Sequence, residues 1–511
     1  MVRSLLPIAI CVAVAATRSL PAQYGIELDV RAGSVPGSGN VDLYLGPMLG
    51  NGFVLVGVDP GPTPLALIDP ADPRMLTIGP TFPDVYFAMF GLDQHLRLGP
   101  FTIPPNPAFV DGVVFVQGGS LFGPVTLVDQ LSPPVAIRWG LAGVFHDRGV
   151  ATLNDRSFTT VLPRRDGRWM VAGGGRGALL AQVADPSTEI YDDVTDTFSY
   201  GPQLTAARSL HTATLLPDGR WLLCGGVNVL NDPQPSCEVY DPVADSFTAV
   251  ASMLTPRAGH TATLLANGRV LVTGGLHAMT VTPSPIYAIF DTVNTTEIYN
   301  PATNTWTAGP NLRTPRAAHL AILRPDGRVL LAGGISWDTI IIQIPTIRST
   351  TDLYDPVANT IVAGPGMSTP HSLVDPLPIG NDRWLVAGGI SALTLTNQGT
   401  PTAVAEVYNA VTNTWSAAGS MATARGIHRG FALGAGRFLC VGGANGSILS
   451  PTPLGSGEIY DVATNGWTPG PSLTIPRAAA GAFLTRRGQV HVIGGSTTSG
   501  AIARSTEWYF F

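Results

Sequence analysis

The sequence predicts an all-β chain: a seven-bladed β-propeller preceded by a small β-sandwich-like domain. Three observations carry this reading. Gly (59) and Pro (44) are frequent among 511 residues, yet the apolar fraction stays at 45%, which fits many short strands joined by tight turns. Seven Gly-Gly pairs, beginning at Gly173, Gly225, Gly274, Gly333, Gly388, Gly442 and Gly494, recur at intervals of 52, 49, 59, 55, 54 and 52 residues. Around each pair the offsets are fixed. An acidic residue and a Tyr two positions later follow every pair, from Glu189/Tyr191 to Glu507/Tyr509, and a bulky apolar residue stands seven beyond each of the first six tyrosines. From that residue to the next pair is always 27, so all length variation falls in one loop type, between the Gly pair and the acidic residue.

Residues 1–22 read as a secretory signal peptide. Arg3 supplies the positive start, Leu5 to Ala16 the apolar run, and Ala22 a small residue before the cut. The run is too short to span a bilayer, and no later stretch is long and apolar enough to do so. The mature chain is therefore expected to be secreted, on the cell surface or periplasmic. Formal net charge is −6, with no basic block, so nucleic acid is not an expected partner. Residues 24–140 lack the repeat. Their alternating runs, Val41 to Leu45 and Val113 to Gln117, indicate a small all-β domain. The string Phe101 to Phe109 is similar to a β-rich segment of exported bacterial proteins.

Residues 141–511 hold the repeats. In the second unit, His211 to Leu216 and Arg220 to Cys224 flank a Pro-Asp-Gly turn, and Cys237 to Tyr240 and Ser246 to Val250 follow. Four antiparallel strands per unit make one propeller blade. The seventh unit stops at Phe511 without a fourth strand, so Leu141 to Phe145 is expected to supply it and close the ring, leaving no open edge.

The doubled Gly, the later Tyr and the Trp after an Asn turn, as in Gly274-Gly275, Tyr299 and Asn304-Thr305-Trp306, resemble the kelch repeat. The resemblance implies a β-propeller with one blade per repeat. The copper radical oxidases of the galactose oxidase type are related to kelch proteins, and in them a Tyr directly before a blade His helps to bind copper. Here His211, His260, His319 and His428 follow Leu210, Gly259, Ala318 and Ile427. No metal site and no cofactor are therefore expected. CxxC, HExxH and EF-hand patterns are absent as well.

Arginine stands 17 residues before the Gly pair in six units, at Arg156, Arg208, Arg257, Arg316, Arg425 and Arg477, with His371 in the remaining one. Such a column forms either a ring of ligand-facing guanidinium groups or a set of loop ties to backbone carbonyls. The variable loops of blades three to five are longest and hold unusual apolar and aromatic residues. They form either a recognition surface or a layer packed on itself. As a recognition surface, its contacts are expected from Arg257, Arg316, His277, Tyr287, Phe290 and Trp337. Cys224 and Cys237 flank a short loop on adjacent strands. They form either a disulfide, contributing about 3 kcal/mol in the chain-entropy model, or two small buried thiols. The function that follows is non-catalytic recognition by a monomer that binds a glycan or a protein. The alternative is a carbohydrate-active enzyme, a copper oxidase or a sugar epimerase.

Overall fold

The computed structural model describes residues 144–510, apart from 177–182, 193–194, 284–285, 340–342, 394–398, 448–449, 486–488 and 498–500, together with the backbone of strands between 27 and 138. The signal peptide read at 1–22 lies outside the described residues. So does most of the segment 24–140. There the backbone shows Glu27–Ala32, Asn40–Gly46 and Leu96–Thr102 as one antiparallel sheet, and Gly52–Gly57, Val113–Leu121, Val128–Leu131 and Val135–Arg138 as another.

From residue 145 the chain makes seven four-stranded antiparallel sheets. Blade two shows the common plan. Thr212–Leu215, Trp221–Cys224, Cys237–Asp241 and Ser246–Val250 pair in sequence order, innermost to outermost. The second strand is the most buried, since both its faces are covered by neighbouring blades. Val329–Ala332 in blade four is buried throughout. The turn between third and fourth strands needs a positive φ, supplied by Asp or Asn at Asp196, Asp245, Asn304, Asn359, Asn413 and Asn465. Each of these side chains also accepts a hydrogen bond from the Tyr five residues earlier, as Asp245 does from Tyr240 at 2.8 Å. The Tyr column is thus a turn lock, and its ring tilts against the apolar residue seven on, 5.0 Å between centroids for Tyr299 and Trp306.

Closure follows the expected route with a shifted strand. The fourth strand of blade seven is Phe145–Ala151, not Leu141 to Phe145, and it pairs with Ser505–Phe510. Phe145 stands opposite Tyr509, the place its counterparts hold in the other blades, and the register slips between Asp147 and Ala151. Four positions on this strand face two on its partner there, a β-bulge.

Each Gly pair fastens one blade to the next. Both glycines have positive φ in every blade. A Cβ on Gly173 would lie 2.7 Å from the carbonyl of Arg208 in the following blade. The second glycine's N–H donates to that same carbonyl: Gly174 to Arg208 at 2.9 Å, Gly334 to His371 at 2.8 Å and, closing the circle, Gly495 to Arg156 at 3.0 Å. The guanidinium turns back into its own blade. Arg257 donates to the Gly274 carbonyl at 2.6 Å and to Glu297 at 2.6 Å. Glu297 accepts in turn from the backbone N–H groups of Leu254 and Thr255 at 2.6 and 3.0 Å. The same set recurs with Glu189, Glu238, Glu458 and Glu507. In blade four the shorter Asp352 leaves the pair at 3.3 Å, and burial pushes that carboxyl upward against the pull of Arg316.

Removing the carboxylate strands a buried guanidinium. Glu297→Ala is expected to destabilise the ring by about 3–5 kcal/mol, whereas Val357→Ser, on an exposed turn tip, should leave stability nearly unchanged. Calorimetric unfolding of the two variants beside the parent checks both.

Candidate functional site

The innermost strands surround an axial cavity of about 440 Å³. Six of the residues 15 before a Gly pair line it, Phe158, Leu210, Gly259, Ala318, Leu373 and Ile427, and Ala479 holds the same position in blade seven. All seven have positive φ, between 49° and 57°. Six of them are not glycine, so the conformation is costly unless the surroundings impose it. Here an arc of six backbone hydrogen bonds, running from Phe158 round to Leu210, does so. Phe158 N–H donates to Ala479 at 2.9 Å, Ala479 to Ile427 at 3.3 Å, Ile427 to Leu373 at 3.0 Å, Leu373 to Ala318 at 3.1 Å, Ala318 to Gly259 at 2.7 Å and Gly259 to Leu210 at 3.0 Å. The left-handed turn lets six of the seven N–H groups reach the neighbouring collar residue. The result is a rigid apolar collar.

One residue further on stand His211, His260, His319 and His428, all lining the cavity wall and at most 8% exposed. Each ring lies against a glycine of the preceding blade. Nε2 of His211 meets the Thr160 hydroxyl at 3.0 Å, that of His260 meets Thr212 at 3.0 Å, and that of His319 meets Thr261 at 3.1 Å and Thr273 at 2.8 Å. Burial pushes His211 and His428 down to about 3, helped by Arg208 and Arg425 respectively. His260 and His319 also fall well below the usual imidazole range, again through burial. These are neutral inter-blade staples.

The next position breaks the symmetry. It holds Thr160, Thr212, Thr261, Leu320, Asp375, Arg429 and Gly481 in blades one to seven. Among the described residues lining the cavity, the charged ones are Asp375 and Arg429. Arg429 donates through one terminal nitrogen to Asp375 Oδ2 at 3.2 Å and through Nε to the Ala480 carbonyl at 2.7 Å. The Asp375 side chain is 68% exposed and that of Arg429 31%. Neither residue stood out in the sequence. Their signal is divergence within a column whose neighbours repeat.

The residues expected to form a ligand surface are placed differently. Arg257 and Arg316 have no exposed surface and are engaged with Glu297 and Asp352. They are loop ties, and the ligand-facing assignment is corrected. Trp337 is 9% exposed. It packs with Ile335, Ile347 and Ile390 in a cluster that joins the hairpins of blades four and five, with Leu276 of blade three against it. It sits inside the loop layer, not on it. His277 is half-buried, with Nδ1 3.3 Å from the Pro256 carbonyl. Tyr287 and Phe290 lie on the hairpin Leu276–Pro283 / Ile286–Thr292, opposite Thr282 and Met279. Their side chains lie outside the described residues. Cys224 and Cys237 are register partners on adjacent strands but are free thiols, so the disulfide is not formed. Both sit in an apolar cluster with Leu222, Val239 and Met253, where burial pushes the Cys224 thiol up, and Cys237 donates to the Pro235 carbonyl at 3.6 Å.

The residues do not fit a copper centre. The seven collar positions carry no donor side chain, and no group of three or more His, Cys, Asp or Glu among the described residues is placed to hold a metal.

No family model matches the chain. Two curated proteins of Arabidopsis thaliana are similar to it. An F-box/kelch-repeat protein is 30% identical over 176 residues, covering 34% of this chain and 40% of its own. F-box/kelch-repeat protein SKIP20 is 27% identical over 192 residues, covering 37% and 42%. The chain thus spans about two fifths of the curated relatives it matches. Among solved structures, a fungal alcohol oxidase of the AA5 family in complex with copper superposes with a TM-score of 0.55 at 16% identity, covering 72% of this chain and 76% of its own. YjhT gives a TM-score of 0.44 at 15% identity, covering 58% and 93%. Fold and repeats together make this protein a kelch-repeat seven-bladed β-propeller.

Two outcomes are expected. The four histidines bind protons more weakly folded than unfolded, so they contribute stability above the ordinary imidazole value of 6.5 that is lost as pH falls toward about 3. Urea unfolding of the His211→Gln/His428→Gln double variant should therefore show a shallower loss between pH 6.5 and pH 4 than the parent. Cys224, Cys237 and Cys440 should resist a thiol reagent while folded and all three should react after denaturation, since burial pushes Cys440 up to about 12. A disulfide would leave two of them silent.

Proposed function

We propose that the protein is a non-catalytic recognition module that receives a neutral sugar unit of a glycan in its axial cavity. The observation that carries this reading is the Asp375–Arg429 pair, set into an otherwise uncharged channel beneath an apolar collar. The pair sums to zero charge, and the four histidines are neutral. An anion there meets the Asp375 carboxylate, and a cation meets the Arg429 guanidinium. A neutral hydroxylated ligand uses both: Asp375 Oδ1 accepts from one hydroxyl, and Arg429 donates to another. Its C–H face packs on Phe158, Leu210, Leu373 and Ile427. The cavity volume is that of a small-molecule site. Six backbone hydrogen bonds tie neighbouring collar residues together, so little ordering entropy is lost on binding.

The collar without donor side chains and the four buried, neutral histidines favour binding over catalysis. The signal read at residues 1–22 supports action outside the cell, where glycans are displayed.

Saturation-transfer NMR with neutral hexoses and their methyl glycosides tests this, alongside an array of neutral and acidic glycans. Neutral termini should bind and sialylated or sulfated ones should not. Asp375→Ala should weaken binding about tenfold or more, and Leu210→Trp, which fills the collar, should abolish it. Binding that is unchanged in both variants, or stoichiometric copper with peroxide release on sugars, would overturn the proposal.

A further inference from the structure

The chain contains Asn-Gly steps at Asn51, Asn267, Asn445 and Asn465. Asn51 lies outside the described residues. In such a step the glycine nitrogen can attack the side-chain carbonyl carbon of the asparagine. The two close a five-membered ring, and glycine has no Cβ to hinder the approach. Geometry decides whether this happens. The nitrogen has to sit against the side-chain amide, with neither group committed elsewhere.

Two of the steps are committed elsewhere. Asn267 lies in the turn between the first two strands of blade three. Its Oδ1 accepts from Arg269 N–H at 3.1 Å, two residues on, while the Gly268 N–H donates to the Leu265 carbonyl at 2.9 Å. Asn465 makes the turn between the third and fourth strands of blade six. Its Oδ1 accepts from the Tyr460 hydroxyl at 2.7 Å and from Gly419 N–H of the preceding blade at 3.4 Å. Gly466 begins the outer strand, opposite Asp461. Turning either side chain onto its own glycine breaks these bonds.

Asn445 is arranged the other way. It stands on the variable hairpin of blade six, where Ala444–Gly446 pairs with Pro451–Pro453, and both Asn445 and Gly446 are exposed. The Leu454 N–H donates to the Gly443 carbonyl at 2.8 Å. That bond fixes the alternation: Asn445 and Thr452 are a hydrogen-bonded pair, whereas Gly446 and Pro451 are not. The prolines at 451 and 453 both fall at non-hydrogen-bonded positions, as residues without an N–H must. The Gly446 N–H therefore points away from the partner strand. It donates instead to Oδ1 of Asn445 at 2.7 Å. Oδ1 is bonded to the carbon under attack, so nitrogen and carbon are already neighbours. Gly446 has a φ of 81°, and a Cβ there would meet the Ser450 carbonyl at 3.0 Å. The hairpin thus demands glycine where the reaction needs it.

We propose that Asn445 is a site of spontaneous covalent modification in the folded protein, converted through a succinimide to an aspartyl or isoaspartyl residue with water as the co-reactant. The Gly446 nitrogen gives its proton to solvent and bonds to Cγ of Asn445. The Cγ–Nδ2 bond breaks, and the amide leaves as ammonia, taking a proton back from water. One water then opens the ring. Cleavage of the new Cγ–N bond gives the aspartyl residue. Cleavage at the backbone carbonyl gives the isoaspartyl residue, in which the main chain runs through the former side chain. The sum is one water consumed and one ammonia released, with nothing oxidised or reduced.

The location gives the product a consequence. Ala444 exchanges two backbone bonds with Gly426, at 2.8 and 2.9 Å, and Gly426 precedes the collar residue Ile427. The hairpin also touches that of blade five. Residues 444–453 contain no charged side chain, so the product sets a carboxylate into a neutral hairpin. The isoaspartyl form also adds a methylene to the strand and shifts Gly446 out of register. The reaction does not depend on the sugar-binding reading.

The test is incubation of the full chain at pH 7 and pH 9, folded and in guanidinium, followed by peptide mapping and isoaspartyl methyltransferase labelling. In the folded chain Asn445 should be modified at least about tenfold faster than Asn267 and Asn465, faster at pH 9 than at pH 7, and with both products present. In guanidinium the three rates should converge as the other two rise. Gly446→Ala should slow the reaction at position 445 at least about tenfold, and Tyr460→Phe should speed it at Asn465 while leaving Asn445 as it was. A folded-state rate at Asn445 no higher than at the other two, or rates that differ as much in guanidinium as in the fold, would overturn the proposal.

Discussion

The ring rests on one carbonyl per blade, that of the residue 17 positions ahead of the Gly pair. It accepts the N–H of the preceding blade's second glycine, while the side chain of the same residue reaches the first glycine and the carboxylate of its own blade. One residue therefore ties two blades and one loop. The geometry explains the glycines, since a Cβ there would collide with the carbonyl. It also explains the acidic column, because a guanidinium with no exposed surface needs a countercharge close by. A buried ion pair is weak evidence for stability on its own. Here the carboxylate also takes backbone N–H groups of the same loop, so the charges are solvated by the fold itself.

That scaffold makes the axis rigid, and rigidity lets a small departure matter. The collar residues all adopt a backbone conformation that six of them would not choose alone, held by an arc of six hydrogen bonds. Beneath it the histidines repeat a staple between blades. Only at the next position do the blades differ in charge, with Asp375 and Arg429 side by side. A repeated residue is bound to the same structural duty in each blade, so specificity has to come from positions that escape repetition.

Much of this architecture is legible in the sequence because the propeller is periodic. The fixed offset of 27 places the outer strands. The Gly pairs mark the ends of the second strands, and the unfinished seventh unit requires a strand from before the first unit, found at Phe145–Ala151, which starts at the Phe facing Tyr509 where the expected strand ended. The arginine column is visible as a column, and so is the acidic one. Their mutual pairing is not, since nothing in the linear order says that a side chain before the first strand meets one in the third. Trp337 misleads for a related reason. An aromatic in a long loop signals a ligand or a loop core equally, and only the neighbouring hairpins decide it. Asp375 and Arg429 escape notice because a search for repeats weights what recurs, and these two do not.

The fastening bonds all run the same way around the circle, from glycine to the following blade's carbonyl, and the junction between blade seven and blade one carries the same bond as the six that are continuous in the chain. The links between blades therefore single out no first blade of the ring. Joining the ends beside Phe145 and Phe510 and cutting a loop elsewhere keeps every inter-blade link, so circular permutation conserves the ring, and the order of blades along the gene is a matter of history rather than of mechanics.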